Sequence, residues 1–463
     1  MPPIRKKQRE AIVSAGIHPM KNAAELKLAE QFLGAHKALP GSAEIAGLRS
    51  EAFRRFEAAG LPHRRVEAWH YTDLRSFLRE AKPLADVPGE VAGSAVEAEA
   101  RFLGEARFLA DAGSRQLVFI DGRFVAGLSD LEALEPGLRL CPLSEALARA
   151  DEPLLSQLGR ILPVQDAMVD LNTALMSDGM IIHVAAGAKI ERPLHLLFIA
   201  GAAPVASFAR SLIIVERGAA ATLVESYCNP AGSAGQVNAA LELEVGEGAQ
   251  VEHLKIIADD AASLHVSSLM AVLGAGARFS DFSLVSGGAL VRNQLFLRFE
   301  GEGAQADIRG ATLLNGRQHG DTSLVADHAA PRCESRQIFK TVLEDEARAA
   351  FQGKITVRPG AQKTNARMMA QALLLSDTAE ADSKPELEIF ADDVQCGHGA
   401  TSGSLDRDLK FYLMARGIPA REAEALLIEA FAGEALDGIR HWGLREALGR
   451  RVTGWLAARR NAM

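Results

Sequence analysis

Gly-Ala pairs stand at six nearly regularly spaced positions in the middle of this 463-residue chain. Successive pairs are separated by 31, 30, 28, 27 and 57 residues, and the last step is close to two steps of the usual size. The six pairs are Gly187-Ala188, Gly218-Ala219, Gly248-Ala249, Gly276-Ala277, Gly303-Ala304 and Gly360-Ala361. A nearly constant period of this length predicts a stack of similar coils.

The segments between the pairs alternate apolar and polar residues, as in Leu241 to Val245 and Leu295 to Phe299. A period of two is typical of β-strands. Glycine at each bend permits a positive φ, and the alanine after it lets the next coil lie close. We therefore predict a mainly β protein with a β-helix or similar solenoid core over residues 166–403, flanked by helical regions at both ends. A β-sandwich with glycine in its hairpins is the alternative fold.

The chain outside this core divides into three regions. Residues 1–20 are basic but contain no continuous apolar stretch, which predicts a flexible extension and not a secretory signal. Residues 21–165 begin with helical spacing between Ala23 and Leu78 and continue as a mixed α/β segment, with a strand pair turned at Asp121-Gly122. Residues 404–463 are predicted to be helical, with breaks at Gly417 and Pro419.

An apolar stripe marks the C-terminal helical region. It runs through Ala423, Leu426, Leu427 and Ala430 to Phe431. Because the terminal coil of a solenoid needs covering, this stripe could pack on the end of the solenoid. Docking of a partner protein is the equally weighted alternative.

Composition and charge narrow the class of protein. The net charge is −8 and only 5 % of residues are aromatic, which disfavours nucleic acid as a partner. The longest apolar runs have the length of strands, so no membrane span is expected. The four cysteines are far apart without a Cys-x-x-Cys pair, which disfavours a complete zinc or iron-sulfur site within this chain and fits a reducing, cytoplasmic location. The sequence also lacks the phosphate-binding loop with Gly-Lys-Ser/Thr, so no ATP site is expected.

The candidate chemistry lies between Asp392 and Thr401. On a strand, Cys396 and His398 would project from one face, where a thiol and an imidazole form a two-ligand fragment of a soft-metal site. The residues alone favour the alternative of a buried cysteine beside a hydrogen-bonded histidine, since buried cysteine is common. A second cluster, formed by His319, Asp321, Asp327, His328 and Cys333, has irregular spacing and is expected to be solvated strand ends and turns.

Several motifs resemble the SufB/SufD family of iron-sulfur cluster assembly proteins. The run from Glu386 to Gly403, with Asp392-Asp393-Val394-Gln395-Cys396-Gly397-His398-Gly399, is similar to the signature of the SufD branch. Phe351 to Ile355, His328 to Ser335 and Phe411-Tyr412-Leu413 match as well, and Gly60-Leu61-Pro62 with Trp69 resembles an N-terminal family motif from which Ala68 and His70 depart. The stretch Met368 to Ser376 contains no cysteine where the SufB branch carries its sulfur-accepting one.

The resemblance implies a non-catalytic scaffold subunit of a SufBCD complex. It implies pairing with SufB through the cores, and binding of the SufC ATPase, which would hydrolyse the ATP, through residues 404–463. It also implies that His398 binds iron or a transient iron-sulfur cluster at the interface with SufB, with Cys396 as a weaker candidate ligand. In this role the subunit would support the acquisition of iron. If a flavin takes part in cluster assembly, the resemblance implies that a partner subunit binds it and not this chain. The residues expected to contact SufC are Leu405, Phe411, Tyr412, Leu426, Leu427 and Phe431.

Two other functions remain open at this point. One is a structural interaction protein without a metal role. The other is a solenoid carbohydrate-active enzyme, which would need paired carboxylates. Asp392 and Asp393 are adjacent, and adjacent residues on a strand point to opposite faces. They would therefore not form the required carboxylate pair, which disfavours that enzyme.

Overall fold

The computed structural model describes residues 21–85, 109, 112–151, 155–201, 203–229 and 232–462, so the predicted extension over residues 1–20 lies outside the described residues. The N-terminal region contains the predicted helices. Asn22 caps the first helix, and its side chain accepts a hydrogen bond from the backbone N–H of Glu25 at 2.8 Å while the Glu25 carboxylate accepts from Asn22. The helices before the core are α1 (Ala23–Ala35), α2 (Ala43–Ala59), α3 (Leu74–Phe77), α4 (Leu143–Arg149) and α5 (Ala167–Leu175).

Two sheets form the core. The strands are β1 (Arg115–Ile120), β2 (Arg123–Phe124), β3 (Leu138–Pro142), β4 (Met180–Val184), β5 (Leu194–Ile199), β6 (Ala206–Val215), β7 (Ala220–Cys228), β8 (Gln236–Val245), β9 (Gln250–Ala258), β10 (Leu264–Leu273), β11 (Arg278–Val285), β12 (Leu290–Phe299), β13 (Gln305–Leu314), β14 (His319–His328), β15 (Glu334–Leu343), β16 (Arg348–Val357), β17 (Asn365–Leu374), β18 (Glu380–Ile389) and β19 (Gln395–Gly403).

The order of the strands identifies a solenoid. The ten-stranded sheet runs β19-β17-β15-β13-β11-β9-β7-β5-β1-β2, and the nine-stranded sheet runs β18-β16-β14-β12-β10-β8-β6-β4-β3. Each coil therefore gives one strand to each sheet, and successive coils pair in parallel register, as β15 does with β17. A sandwich of hairpins would pair consecutive strands antiparallel. The predicted solenoid is confirmed.

Most of the Gly-Ala pairs are corners of the coils. The first five glycines have left-handed φ values between 61° and 72°. They stack, because each N–H bonds to a carbonyl of the corner above, as from Gly218 to Glu247 at 2.8 Å. The alanines after Gly218, Gly248, Gly276 and Gly303 are fully buried, as the close approach of coils requires.

The sixth pair is not part of this stack, and that expectation was wrong. Gly360 lacks a left-handed φ, and the last two corners are made by Arg332 (φ 58°) and Lys363 (φ 64°). Their N–H groups continue the same ladder, to the carbonyl of Gln362 at 2.8 Å and to that of Asp393 at 2.6 Å. A corner of this kind needs the backbone angle more than it needs glycine, so the glycine period ends before the coils do.

The N-terminal region packs on the outer face of the nine-stranded sheet. Trp69 is almost fully buried there, and the Arg292 guanidinium lies 4.5 Å from the centre of its ring. Arg292 also forms a buried ion pair with Asp321, whose carboxylate accepts a 2.5 Å hydrogen bond from the Thr72 hydroxyl. The segment from Trp69 to Thr72 is thus one of the contacts that join this region to the core.

The C-terminal helices cover the outer face of the ten-stranded sheet. They are α6 (Arg407–Met414), α7 (Ala420–Leu436) and α8 (Trp442–Ala462). The buried residues of α7 are Ala423, Ile428, Ala432, Ala435 and Leu436, and they pack with sheet residues such as Val342. The predicted stripe was therefore wrong in part, because Leu426 and Ala430 are exposed, and the helices lie on a face of the solenoid and not on its end.

Candidate functional site

Cys396 and His398 lie on β19, the last strand of the solenoid. In the parallel register, Cys396 is opposite Ala366 and His398 is opposite Met368. Both partners on β17 are buried in the core, so these are positions of the inner face. The prediction of a shared strand face therefore agrees with the register. Among the described strands, β19 pairs only with β17, so its other edge carries free backbone groups.

The two side chains differ in accessibility. His398 is exposed, whereas Cys396 is half-buried and packs against the hydrophobic core. Burial raises the pKa of the Cys396 thiol, which keeps it protonated at neutral pH. Since the thiolate is the metal-binding form, His398 is the more available ligand of the two.

No set of three metal-ligating side chains gathers anywhere in the described part of the chain. Cys396 and His398 are thus at most a fragment of a site. An iron-sulfur cluster needs four thiolate or imidazole ligands, and the missing ones would have to come from outside this chain.

The second sequence cluster does lie at strand ends and in a turn, since His319 and His328 bound β14 and Cys333 precedes β15, but the expectation that it is solvated was wrong for three of its members. Asp321, His328 and Cys333 are all almost fully buried. The His328 ring stacks on Phe299 with centroids 4.0 Å apart, and burial lowers its pKa to about 4. His319 lies 2.9 Å from the Thr72 hydroxyl. These residues hold the fold together and do not converge on a common point.

Asp392 and Asp393 precede β19 in an irregular turn, so the expectation that they alternate along a strand was wrong. Asp393 forms an exposed ion pair with Lys363 at the neighbouring corner. The Asp393 carboxylate is therefore paired with a cation, and the two residues do not form the paired acids of a glycosidase.

A groove of about 460 Å³ lies on the outer side of β19. Its lining includes Arg336, Arg367 and Met369 together with the segment from Gln395 to Gly399, and the side chains of Cys396 and His398 leave that segment on the opposite, inner face. Sequence analysis missed the two arginines, because they are 31 residues apart along the chain and only the coil register places them side by side.

The residues expected to contact a partner fall into two groups. Phe411, Tyr412 and Leu426 are 70 %, 52 % and 43 % exposed. Leu405 and Phe431 instead pack against the cluster on the ten-stranded sheet, and Leu427 is half-buried. Leu409 and Met414 of α6 are also exposed and were missed. The exposed aromatic and aliphatic side chains of α6, which lie around that helix, and Leu426 of α7 are here called the α6 patch (Leu409, Phe411, Tyr412, Met414 and Leu426).

None of the described helices is both long and apolar enough to cross a lipid bilayer.

Comparison with known proteins gives the family. Residues 198–431 match the family model described as the SUF system FeS cluster assembly SufBD core domain, and residues 27–196 match the SufBD protein N-terminal region. An iron-sulfur cluster assembly SufBD family protein of Synechocystis is 34 % identical over 82 % of this chain and 84 % of its own length. The iron-sulfur cluster assembly protein SufD of Escherichia coli is 30 % identical over 85 % of this chain and 90 % of its own length. The coiled core and the N-terminal region together thus show that this chain belongs to the SufBD family of iron-sulfur cluster assembly proteins.

Proposed function

We propose that the chain is a SufD-type scaffold subunit that pairs with a SufB subunit and a SufC ATPase, and that His398 contributes a ligand or a proton carrier to a transient cluster between the cores. The carrying observation is an exposed imidazole on an edge strand of the solenoid. In this function iron is the cargo of the complex and not a resident cofactor of this chain. The SufC subunit hydrolyses the ATP. The four free cysteines support a reducing compartment such as the cytoplasm.

The open end of the solenoid supports core-to-core pairing. At the other end, the edge strands β2 and β3 run antiparallel to β1 and β4 and are only two and five residues long, so they offer less backbone for pairing than the nine-residue β19. At this end, Ile389 and Phe390 at the end of β18 are 42 % and 59 % exposed. An uncovered strand edge with apolar side chains is a template for pairing with another chain. A SufB core of similar construction would extend both sheets and bring ligands to His398.

Substitution of His398 tests the metal role. His398→Asn keeps a polar side chain of similar size but replaces a good iron ligand with a poor one. Because His398 is exposed and lies at the edge of the core, folding and capture of SufB and SufC should stay unchanged. Iron-sulfur maturation in cells that depend on this system should be lost. Cys396→Ser should do less, since the thiol packs against the core.

A matched control is His70→Asn, which changes an exposed histidine of the N-terminal region. It should support normal maturation. Normal maturation by His398→Asn would contradict the metal role and favour the alternative of a structural interaction protein. Loss of maturation together with loss of SufB capture would assign His398 to assembly of the complex.

The α6 patch is the proposed SufC surface. Its side chains are exposed although α7 already covers the sheet, and the Arg416 guanidinium lies 3.4 Å from the centre of the Tyr412 ring. Deletion of residues 405–436 would uncover apolar sheet residues such as Val342, so point substitutions give the sharper test. Phe411→Ala with Tyr412→Ala should weaken SufC capture at least tenfold, because exposed aromatics are typical hot spots. Arg407→Ala, at the exposed start of α6, is the control, and undiminished capture by the double variant would reject this surface.

A further inference from the structure

The last strands of the two sheets differ in how their free edges are built. In a parallel ladder, the backbone groups of alternate residues point to opposite sides of a strand. The N–H of Gln395 donates to the carbonyl of Thr364, just before β17, at 2.9 Å, so the odd-numbered residues of β19 bond to β17. The even-numbered residues therefore turn their N–H and C=O groups to the free edge. These free-edge residues of β19 are Cys396, His398, Ala400 and Ser402.

The free edge of β18 is interrupted by a proline. The N–H of Glu380 donates to the carbonyl of Ala347 at 3.1 Å, so the even-numbered residues of β18 bond to β16 and the odd-numbered ones face the free edge. Pro385 has no N–H, so it leaves the bonds to β16 intact and breaks the row of donors on the free side. Proline and charge are devices that protect an edge strand from pairing. The charged side chains of β18 are Glu380, Asp382, Lys384, Glu386 and Glu388.

The strand β19 carries neither kind of protection. Its nine residues, Gln395–Gly403, include no proline and no aspartate, glutamate, lysine or arginine. Its outer face is also bare, because a Cβ added at Gly397 or Gly403 would meet nothing within 4 Å in the described part of the chain. The φ of Gly397 is not left-handed, so the backbone does not require glycine there. An unprotected edge with bare positions suits a second strand whose own side chains are large.

The composition of β19 disfavours a second copy of this chain as that strand. In the antiparallel register with full overlap, Gly399 would lie opposite itself, Gly397 opposite Thr401 and Gly403 opposite Gln395. Every outer-face pair would then contain a glycine, whereas cross-strand pairs of side chains are what stabilise a sheet. A strand with aromatic or β-branched residues would instead cover the glycines.

We propose that β19 is the strand through which this chain pairs with SufB, and that the pairing strand of SufB runs antiparallel and places a large apolar side chain opposite Gly397. The inference rests on the proposed function, in which the two cores meet. Two similar ends related by a two-fold axis bring their last strands together antiparallel. Hydrogen bonds would continue the ten-stranded sheet along the whole of β19, whereas Pro385 leaves the nine-stranded sheet only a broken ladder. Gly397 would fall at a non-hydrogen-bonded pair, where side chains of the two strands lie closest.

Amide hydrogen exchange resolved to single residues tests the pairing edge. It compares the full-length chain alone with its complex with full-length SufB. The four free-edge amides of β19 should exchange about tenfold more slowly in the complex, because they gain hydrogen bonds. The amides of Gly397 and Gly399 already point toward β17, and that of Ser383 lies on the interrupted edge of β18, so all three should change less.

The outcomes of this experiment separate the pairing edge from the proposed function. Unchanged exchange at the four amides, in a complex that forms, would overturn the pairing edge and leave the proposed function standing. Failure of the wild-type chain to capture SufB would refute the proposed function and the pairing with it. A dimer of the isolated chain in sedimentation, with these four amides already protected, would assign the edge to a second copy and overturn the choice of SufB.

Two proline variants provide a matched test of the same edge. Ala400→Pro and Ser383→Pro each remove an N–H that faces a free edge, the first on β19 and the second on β18, and neither residue is buried. Ala400→Pro should lower the affinity for SufB about tenfold, whereas Ser383→Pro should capture SufB like the wild type. Equal capture by the two variants would overturn the proposal.

Gly397→Leu keeps the test decisive if a proline variant fails to fold. The added side chain meets nothing in the described part of the isolated chain, so its urea unfolding should match that of the wild type. In the complex the leucine would occupy the space of the SufB side chain, and capture of SufB should fall about tenfold. Undiminished capture by Gly397→Leu would show that no large side chain covers this position and would overturn the proposal.

Discussion

Acidification should destabilise the core through His328. This histidine ends β14, is fully buried, stacks on Phe299 and bonds to the Ser335 hydroxyl at 3.0 Å, while its Nδ1 has no partner in the described structure. Burial lowers the pKa of His328 from 6.5 to about 4. The folded state therefore prefers the neutral imidazole, and the unfolded chain binds the proton first as the pH falls.

The size of the effect follows from the two pKa values of His328. A lowered histidine pKa contributes stability that is present above pH 6.5 and is lost as the pH falls toward 4. At pH 5 nearly all unfolded chains carry this proton, whereas about one folded molecule in ten does. The free energy of unfolding should therefore fall by about 2 kcal/mol between pH 7 and pH 5 on account of this residue.

Urea unfolding of the full-length chain at pH 7 and pH 5 measures this difference. His328→Gln removes the titrating group and keeps a partner for Ser335, so the loss between the two pH values should shrink by about 2 kcal/mol, whatever the stability at pH 7. His70→Asn, at an exposed site, should leave the pH dependence unchanged. If His328→Gln shows the same pH dependence as the wild type, the imidazole is not held neutral and the reasoning fails.

The remaining predictions concern the coil corners and the attachment of α7. Gly303→Ala should lower the free energy of unfolding by about 1 kcal/mol, because the φ of Gly303 is 70°. Arg332→Gly at the next corner should leave this free energy unchanged or raise it. Equal losses for the two variants in urea unfolding would contradict a left-handed corner stack. The Lys340 ammonium is buried between the Gln371 amide, the Glu434 carboxylate and the Phe431 ring. Lys340→Met keeps the apolar part of the side chain but removes the ammonium and its contacts with α7. The rate of amide hydrogen exchange over residues 420–436 should therefore rise about tenfold, while that of β13 stays unchanged. Unaltered exchange in α7 would show that the apolar face of the helix alone attaches it.

The sequence predicted the elements whose backbone chemistry is visible in residue types. The alternation of apolar and polar residues predicted the strands, and the recurring glycines predicted five of the corners, where φ is left-handed. Arg332 and Lys363 adopt the same left-handed φ although they are not glycines. The spacing of Gly-Ala pairs therefore could not predict their corners. The backbone hydrogen bonds between stacked corners stabilise that angle, and such long-range stabilisation has no local signal.

Contacts between distant parts of the chain could not be predicted. The sequence placed His398 and Cys396 on one strand face, but the exposure of one and the burial of the other depend on the terminal position of β19. Asp321 and His328 appeared to be solvated because charge and spacing do not reveal that Thr72, Arg292 and Phe299 surround them. Burial of a polar side chain depends on partners that only the fold supplies.

The two ends of the solenoid explain why the chemistry lies where it does. The interior of the stack is filled by apolar side chains from both sheets, so a ligand there would displace the core. At the N-terminal end the edges are formed by the short antiparallel strands β2 and β3, of two and five residues. The last coil combines long free strand edges with small side chains, since β19 contains three glycines. A second chain could approach the backbone closely there, where Gly397 and Gly399 leave the outer face bare and His398 projects from the inner face.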